Sequence, residues 1–436
     1  MVSRVEVGGR TIKPVESILE GDKVRKAWNV NYLSHGWHRY VGRFPPQVIR
    51  SLINAFRIDS SHLILDPFSG SGTALVEAKL MGIDAIGFDI CPLSHLISEV
   101  KVKLDYDPDA LSEALTSVEN SFAKAQWRNT LHDWDSTRKA DRSKFEIPAF
   151  PNVEKWFNAD VLNQLTTLLS AVEDLPGREV RKFFYVAVSA SMRSIANVDV
   201  DVVRTEYRRT PRKDVDVLAA VRRKVNRMVE DLRSYKRLDI RRSDVQAKLG
   251  DARRLALAKN SVDFVVTSPP YGIEAVSYLR THMLSYRVLR QVLKVDVKDL
   301  AKEMIGTDFV MEQELGNDDL NSDSAERFFR SISPKGVANE RRVAQMVRYF
   351  QDMKKSIGEI SRVLKDNRYA VIIIGDKRLL DRKIPTHEIL VEMADWFGLS
   401  PKLTMPVKLV CNNPTAVTPW SERMIKDEYI LALGKT

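Results

Sequence analysis

Short apolar segments recur along the chain in two groups with a long gap between them. Nearly every position in these segments is apolar, which is typical of strands buried on both faces of a parallel sheet. We therefore predict a parallel sheet that is covered on both sides. The predicted strands are 63–66, 84–90, 245–251, 262–270, 369–376, 408–412 and 428–434.

The segments between the strands show helical spacing instead. Within the gap at 101–244, apolar residues recur every three or four positions over 161–172, 179–196 and 215–235. A polar stretch at 314–327 predicts a loop. Strands that alternate with helices predict an α/β fold, here with a large helical insertion.

The positive net charge of the chain favours a nucleic acid as its partner. The 436 residues include 68 Lys and Arg against 58 Asp and Glu, a formal net charge of +10. The stretch 204–242 alone holds 14 basic and 6 acidic residues, so it contributes +8. Such a concentration favours a phosphate-binding surface, although a solvated helix face would show the same pattern. The candidate DNA-binding residues are Arg204, Arg208, Arg209 and Arg212.

Scarce residue types exclude several classes of protein. Two cysteines, Cys91 and Cys411, cannot build a disulfide framework or a cysteine-rich zinc site, and the seven histidines follow no metal-binding spacing. We therefore expect no protein-held metal. Apolar runs such as 370–374 are too short to cross a bilayer, so we expect no membrane partner and a location in the reducing cytoplasm.

A glycine-rich turn at 66–73, DPFSGSGT, joins the first predicted strand to a predicted helix at 74–82. Glycines let the backbone approach a ligand, and the start of the helix adds free N–H groups. Asp89, at the end of the next strand, takes the position that binds ribose hydroxyls in nucleotide-type sites. No lysine follows Gly72 and Leu75 replaces a third glycine, so the turn is neither a P-loop nor a full dinucleotide fingerprint. Alone, it is equally consistent with a structural turn.

A second turn at 267–272, TSPPYG, follows the apolar segment 262–266. Its two prolines lack N–H donors and fix the backbone, so the carbonyl groups are held as acceptors. Ser268 adds a hydroxyl and Tyr271 a flat aromatic face, a set that suits an amino group on a planar ring. A rigid turn at the end of a strand would explain the same residues.

Taken together, the two motifs resemble those of the S-adenosylmethionine-dependent DNA amino-methyltransferases. DPFSGSGT is similar to the cofactor motif of that family, and TSPPY to its catalytic motif in the form most often associated with cytosine-N4 methylation. HRYVGRFPPQVIRSLI at 38–53 resembles the segment that closes over the methionine end of the cofactor, and GDA at 250–252 the turn that contacts its adenine. The resemblance covers roughly 35–100, 245–290 and 365–436.

The resemblance implies a Rossmann-like class I methyltransferase core, S-adenosyl-L-methionine as cofactor and double-stranded DNA as partner, at the nucleoid. It implies site-specific methylation of the exocyclic N4 amine of a flipped-out cytosine, as in restriction-modification systems. A companion restriction endonuclease and the oligomeric state stay open. The catalytic residues would be Ser268, Pro269, Pro270 and Tyr271, and the cofactor-binding residues Phe44, Pro45, Asp66, Pro67, Phe68, Gly70, Gly72, Thr73, Asp89, Ile90, Asp251 and Ala252.

The implied chemistry assigns a role to each catalytic residue. An exocyclic amine is a weak nucleophile because its lone pair is delocalised into the ring. Hydrogen bonds from its N–H groups to the Ser268 hydroxyl and the Pro269 carbonyl would favour a pyramidal nitrogen, with Tyr271 stacked on the ring. The base must first leave the duplex, where its amine is out of reach.

Three other interpretations stay open. Adenine-N6 methylation needs the same pocket chemistry, RNA guanine-N2 methylation uses a related one, and a catalytically inactive DNA-binding protein could keep the fold. Cytosine-C5 methylation is not expected, because it needs a cysteine nucleophile in a Pro-Cys turn. Cys91 precedes Pro92 instead, and Cys411 lies in a predicted strand.

The motifs also divide the chain. We expect an N-terminal segment at 1–60 with the closing motif, and the first part of the catalytic core at 61–100. A basic helical insertion at 101–244 would bind DNA and read the target. The second part of the core would occupy 245–436 and contain an inserted loop at 275–345.

Overall fold

A seven-stranded sheet forms the centre of the protein in the computed structural model. The model describes residues 5–7, 10–12, 29–40, 42–132, 144–146, 148–199, 205–208, 210–273, 276–310, 319–408 and 427–436. The strands are β1 Leu63–Asp66, β2 Asp84–Asp89, β3 Val245–Leu249, β4 Val262–Thr267, β5 Leu364–Gly375, β6 Leu399–Lys408 and β7 Asp427–Lys435.

The strands lie in the order β6-β7-β5-β4-β1-β2-β3. The five strands from β5 to β3 are mutually parallel, as predicted. The sheet is mainly parallel, and β7 is the exception, because it runs antiparallel to both β5 and β6. Lys408 at the end of β6 pairs with Asp427 at the start of β7. The two strands therefore connect at one end of the sheet and must run in opposite directions.

Burial on both faces explains the almost continuous apolar pattern of the central strands. Every residue of β4 is buried. Phe264 and Val266 pack into a core on one face, and Val265 packs with Ile372 into a core on the other.

The helices are α1 Pro46–Ala55, α2 Thr73–Leu80, α3 Pro92–Val102, α4 Pro108–His132, α5 Val153–Trp156, α6 Ala159–Glu173, α7 Arg178–Ile195, α8 Val217–Lys236, α9 Val276–Thr281, α10 Met283–Val288, α11 Arg290–Leu293, α12 Val297–Glu303, α13 Asp323–Arg330, α14 Val337–Val363 and α15 Thr386–Trp396.

The three helices predicted between the two strand groups are confirmed as α6, α7 and α8. Side chains cap two of them: Asn158 accepts from the Val161 N–H and Asp216 from the Ala219 N–H, both at 2.8 Å. Together with α3 and α4 they form a hydrophobic core to which α9, α10 and α12 also contribute buried residues. None of the helices in the described ranges is both long and apolar enough to span a membrane.

Two sequence predictions need correction. A strand was expected at 408–412, but the strand is β6, which ends at Lys408; residues 409–412, including Cys411, lie outside the described ranges. Pro401 and Pro406 interrupt the pattern that would predict β6 from the sequence. An edge strand tolerates prolines because its outer side needs no hydrogen-bond partner. The polar loop expected at 314–327 contains the start of α13, where the Ser322 hydroxyl accepts from the Ala325 N–H at 3.0 Å. Residues 311–318 lie outside the described ranges.

Candidate active site

The carboxyl ends of β1, β2 and β4 meet at one edge of the sheet and border a cleft. The cleft is open to solvent and has about 1010 Å³ of empty space. Strand β1 lies between β2 and β4, which is where open α/β sheets form a ligand crevice. Of the predicted residues, Phe44, Asp66, Pro67, Phe68, Gly70, Thr73, Asp89, Ile90, Asp251, Ala252, Ser268 and Pro270 line it, whereas Pro45, Gly72, Pro269 and Tyr271 are not among its lining residues.

The glycine turn needs its glycines for conformation and for space. Gly70 has a φ of 51° and Gly72 a φ of 78°, both in the left-handed region. A Cβ atom on Gly72 would lie 2.8 Å from the Cβ of Ser98 on α3. Gly72 therefore lets α2 begin in close contact with α3, and the turn reaches the cleft through Gly70.

Asp89 ties three segments of the cleft together. Its two carboxylate oxygens accept from the N–H groups of Gly70 and Cys91, both at 2.8 Å. Its carbonyl accepts from the Gly250 N–H at 3.0 Å. Burial raises the pKa of Asp89 to about 6, although the two N–H donors act in the opposite direction. The carboxylate faces the cleft and has lone pairs left for ligand hydroxyl groups.

Asp66 joins the two sequence motifs. The Thr267 hydroxyl donates to the Asp66 carboxylate at 2.6 Å, and the Phe68 N–H donates to the same oxygen at 3.1 Å. Burial raises the pKa of Asp66 to about 7, and these two donors lower it less than burial raises it. The last residue of β4 is therefore bonded to the last residue of β1, which fixes the catalytic motif beside the cofactor motif.

A buried glutamate holds the N-terminal segment against this site. Glu77 on α2 is fully buried and lies 2.8 Å from Nε2 of His35 and 2.6 Å from Nε of Arg50. The Tyr32 hydroxyl also donates to it. Burial opposes its charge, yet the hydrogen bonds hold the pKa of Glu77 below its ordinary value. The only sequence signal for this residue was a carboxylate within an otherwise apolar helical stretch, ALVEAKL, and sequence reasoning missed it.

The turn at 250–252 holds its acidic side chain in an ion pair. The Arg253 guanidinium donates to both oxygens of Asp251, at 2.7 to 3.0 Å, and also contacts Asp352 on α14 at 3.1 Å. Burial works against the charge of Asp251, but Arg253 holds the pKa of this carboxyl below its ordinary value. Arg253 itself lines the cleft. The sequence prediction did not include it, although it follows the turn directly.

The catalytic motif is anchored from two distant elements. The Tyr271 hydroxyl donates to the carboxylate of Glu428 on β7 at 3.1 Å and accepts from the Ser268 hydroxyl at 3.4 Å. The Tyr349 hydroxyl, on α14, donates to the Pro270 carbonyl at 2.8 Å. These contacts fix the ring of Tyr271 and the proline backbone, while Ser268 faces the cleft.

The predicted DNA-binding arginines are only partly described. Arg204 and Arg209 lie outside the described residues. Arg208 donates to the Thr210 carbonyl at 3.3 Å. Arg212 donates to the carbonyls of Ala196 and Arg193, at 3.1 and 3.4 Å, and so caps the end of α7.

The lining residues fit a nucleoside cofactor. The left-handed glycine turn gives backbone access, Asp89 offers acceptors for hydroxyl groups, and Phe44, Phe68 and Ile90 add apolar wall. Within the described ranges, no group of three or more His, Cys, Asp or Glu is arranged to hold a metal ion.

Comparison with known proteins supports this assignment. The N6_N4_Mtase family model, described as DNA methylase, matches residues 12–97. The chain is 26% identical to the type II methyltransferase M.MvaI of Kocuria varians, over 89% of this chain and 88% of that protein. It is 25% identical to the type II methyltransferase M.BsoBI of Geobacillus stearothermophilus, over 86% and 80%. A tRNA (guanine(10)-N2)-dimethyltransferase of Pyrococcus abyssi is 39% identical over 14% of this chain and 18% of its own length.

The two type II methyltransferases are matched over most of their length, and the matched family model covers the closing segment, the glycine turn and Asp89. The fold places those elements around one cleft together with the TSPPY turn. These similarities support an S-adenosylmethionine-dependent DNA methyltransferase of the kind that modifies exocyclic amino groups.

Proposed function

We propose that the protein methylates the exocyclic N4 amine of cytosine in double-stranded DNA, on a base that is flipped out of the helix. The observation that carries this proposal is the position of the TSPPY turn. It ends β4 directly beside the glycine turn that ends β1, and Ser268 lines the same cleft as Asp66 and Asp89. An acceptor for the target amine thus stands next to the residues suited to the cofactor.

The cofactor would be held by residues from three loops. Asp89 would accept from its ribose hydroxyls, Asp251 and Ala252 would border its adenine, and Phe44 would cover its methionine end. When bound, S-adenosylmethionine supplies an electrophilic methyl group on a sulfonium centre. Because both carboxylate oxygens of Asp89 are already aligned by backbone N–H groups, the side chain needs little reorganisation to bind hydroxyl groups.

The target base would be held by the catalytic motif. The Ser268 hydroxyl and the Pro269 carbonyl would accept from the amine and direct its lone pair, while the ring of Tyr271 stacks on the base. The hydrogen bond from Tyr271 to Glu428 supports this role, since it fixes the ring plane before the base arrives. Positioning of this kind is the main contribution a protein makes to a direct group transfer.

The helical insertion at 101–244 would contact the DNA. Its basic run presents exposed cations, among them Arg223, Lys236 and Arg242. Other cations of the run are engaged in surface ion pairs, for example Arg222 with Glu119, which reduces the charge available for phosphates. We also propose that the protein works in the cytoplasm on nucleoid DNA, because the family model that matches residues 12–97 is described as DNA methylase.

Two other targets are tested together with cytosine N4. Adenine N6 is matched by the same acceptor chemistry. Guanine N2 in RNA is supported by the short match to the tRNA dimethyltransferase of Pyrococcus abyssi, although that match covers 14% of this chain.

The test is in vitro methylation followed by mass spectrometry of nucleosides. The protein is incubated with S-adenosylmethionine and either unmethylated plasmid DNA or unmodified tRNA, with the Ser268→Ala variant as the matched control. We expect N4-methylcytosine from DNA, reduced in the variant. N6-methyladenine would reassign the target base, N2-methylguanosine from tRNA would reassign the substrate, and no product from either nucleic acid would overturn the proposal. Sequencing of the modified DNA then locates the methylated site.

A further inference from the structure

A second cavity adjoins the active-site cleft. It has about 460 Å³ of empty space open to solvent. The ring of Tyr40, which lines the cleft, stacks on the ring of His282, which lines the cavity, with centroids 5.0 Å apart. The two spaces are therefore separated by this pair of rings.

Four parts of the chain meet in the cavity. Arg39 comes from the segment that closes the cofactor site, and Arg193 comes from α7. Thr205 lies at the start of the basic run 204–242, close in sequence to Tyr207, which forms an isolated bridge with Val198. His282 lies between α9 and α10, which follow the catalytic motif. The cavity thus lies between residues that follow the catalytic motif and the start of the basic run.

The floor of the cavity is closed by satisfied polar groups. Nε2 of His38 lies 2.8 Å from the Ser189 hydroxyl, which donates to the Ser285 hydroxyl at 2.8 Å. These three side chains are buried. Their hydrogen bonds are used within the floor, so recognition of a ligand falls to the residues above it.

In the part of the chain that the structure describes, His282 brings a buried ring nitrogen without a hydrogen bond to the lining of the cavity. Its Nε2 atom is buried and has no hydrogen-bond partner among the described residues. Burial, Arg193, Arg39 and Lys101 together lower the pKa of His282 to about 4, so the ring is neutral near pH 7. A buried nitrogen of this kind costs free energy unless a ligand bonds to it.

The surroundings decide which ligand suits it. Arg39 is exposed at the cavity, and Arg193 is oriented by donating to the Asp199 carbonyl at 2.7 Å. Arg39 and Arg193, which disfavour protonation of His282, would attract an anion into the cavity. The neutral imidazole of His282 can still donate an N–H to that anion. Since Arg39, Arg193 and His282 line the same cavity, a phosphate group is the kind of oxyanion that would accept from the imidazole and the guanidinium groups together.

We propose that this cavity binds a phosphate of the target DNA strand close to the flipped-out nucleotide, which rests on DNA being the substrate. A phosphate held by Arg39 and His282 would lie one ring pair away from the cleft that receives the base. Such a contact would fix the register of the strand without reading its sequence. It would also stabilise the extruded backbone, because the phosphates beside a flipped nucleotide leave their duplex positions.

Neutral phosphate analogues test this contact directly. Duplexes with the mapped methylation site are made with one linkage at a time, within three nucleotides of the target base, replaced by an uncharged methylphosphonate. Their affinities are measured by fluorescence anisotropy for the wild type, for Arg39→Gln and for Arg237→Gln. Arg237 is an exposed arginine at the end of α8 that donates to Ser234 and does not line the cavity.

One linkage should weaken wild-type binding about tenfold, the size expected for one lost charge-assisted contact. The same linkage should have no effect on Arg39→Gln and an undiminished effect on Arg237→Gln, with circular dichroism showing both variants folded. If every linkage affects the wild type and Arg39→Gln alike while DNA is still methylated, the phosphate site is wrong and the proposed function stands. If DNA is not methylated at all, the proposed function itself fails.

Inorganic phosphate distinguishes a strand phosphate from a free anion. It is titrated into the wild type and Arg39→Gln by calorimetry in the absence of DNA. Suppose that Arg39→Gln weakens the binding of inorganic phosphate, but that no methylphosphonate linkage acts differently on the wild type and on Arg39→Gln. The cavity would then bind a free oxyanion, and its assignment to a DNA phosphate would be overturned. A linkage effect that Arg39→Gln abolishes supports the DNA contact whether or not inorganic phosphate binds.

Discussion

The affinity for S-adenosylmethionine should fall as the pH drops below about 6, because Asp89 then loses its charge. Burial raises the pKa of this carboxyl to about 6 in the free protein. Hydroxyl groups of a bound ribose would donate to the ionised form and favour it. Binding is then linked to ionisation of Asp89, so the affinity is complete above the pKa and is lost as the pH falls through it.

The size of the effect follows from this linkage. Below the pKa each pH unit costs a factor of ten in affinity, or about 1.4 kcal/mol. The affinity at pH 5 should therefore be about tenfold weaker than at pH 7.5. Asp66 also titrates close to this range, since its pKa is raised to about 7. Because the two carboxyls interact, their titrations overlap, and a contribution from Asp66 would persist in a variant that lacks the Asp89 carboxyl.

Calorimetry at several pH values between 5 and 8 measures the effect, with the inert product S-adenosylhomocysteine as a second ligand. Asp89→Asn keeps the size of the side chain but cannot ionise, so its affinity should be about tenfold weaker at pH 7.5 and should show no inflection near pH 6. A constant wild-type affinity over this range, or an unchanged inflection in Asp89→Asn, would refute the role given to this carboxylate.

The raised pKa of Asp89 has the opposite effect on the stability of the free protein: cofactor affinity increases as the pH rises through 6, whereas the free energy of unfolding decreases. An acid whose pKa is higher in the folded state than its ordinary 3.8 disfavours the fold when it is ionised. For Asp89 this cost is about 3 kcal/mol above pH 6, and it disappears as the pH falls toward 4. The rise in Tm given by saturating cofactor should therefore be larger at pH 8 than at pH 5.

Three further predictions concern catalysis, folding and DNA binding. Tyr271→Ala should lower the single-turnover methylation rate about 5- to 150-fold, since about 1–3 kcal/mol of stacking is lost. Tyr271→Phe loses only the hydroxyl hydrogen bonds to Glu428 and Ser268, so it should retain most of the wild-type rate; equal rates for both variants would place the target base elsewhere. Glu77→Gln should lower the free energy of unfolding in urea by about 1–3 kcal/mol, because a buried ion pair is broken, and an unchanged value would contradict that role. Arg208→Gln should reduce the slope of log affinity against log salt by about 0.9 for one phosphate contact, and an unchanged slope would make Arg208 a solvated surface residue.

The local sequence was enough to predict the two motifs and the core of the sheet. Strand β4 reads as apolar throughout because both of its faces are buried, and the turn that follows it is marked by two adjacent prolines. The glycine turn is marked in the same way by Gly70 and Gly72, whose left-handed conformation few other residues adopt. Each of these signals lies within a few residues of the feature it predicts.

The features that sequence analysis missed depend on contacts between distant parts of the chain. Tyr271 and Glu428 are 157 residues apart in sequence, and nothing in either segment indicates the other. The same is true of the bond between Thr267 and Asp66, across 201 residues. Strand β6 was placed too late because it lies at the edge of the sheet, where proline and polar residues are tolerated and the apolar pattern is lost.

The topology explains why two long helical connections, one after β2 and one after β4, both lie next to the cleft. Parallel strands must be joined by crossovers, so the chain leaves the carboxyl end of β2 before α3–α8 and the carboxyl end of β4 before α9–α14. Both connections therefore begin at the edge where the cleft lies. Ala85 of β2 still pairs with Val245 of β3, which shows that the intervening helices leave the strand register intact. Helices that start at this edge of the sheet can reach DNA around the cleft without disturbing the residues inside it. In this way His282, between α9 and α10, and Thr205, at the start of the basic run, line the same cavity.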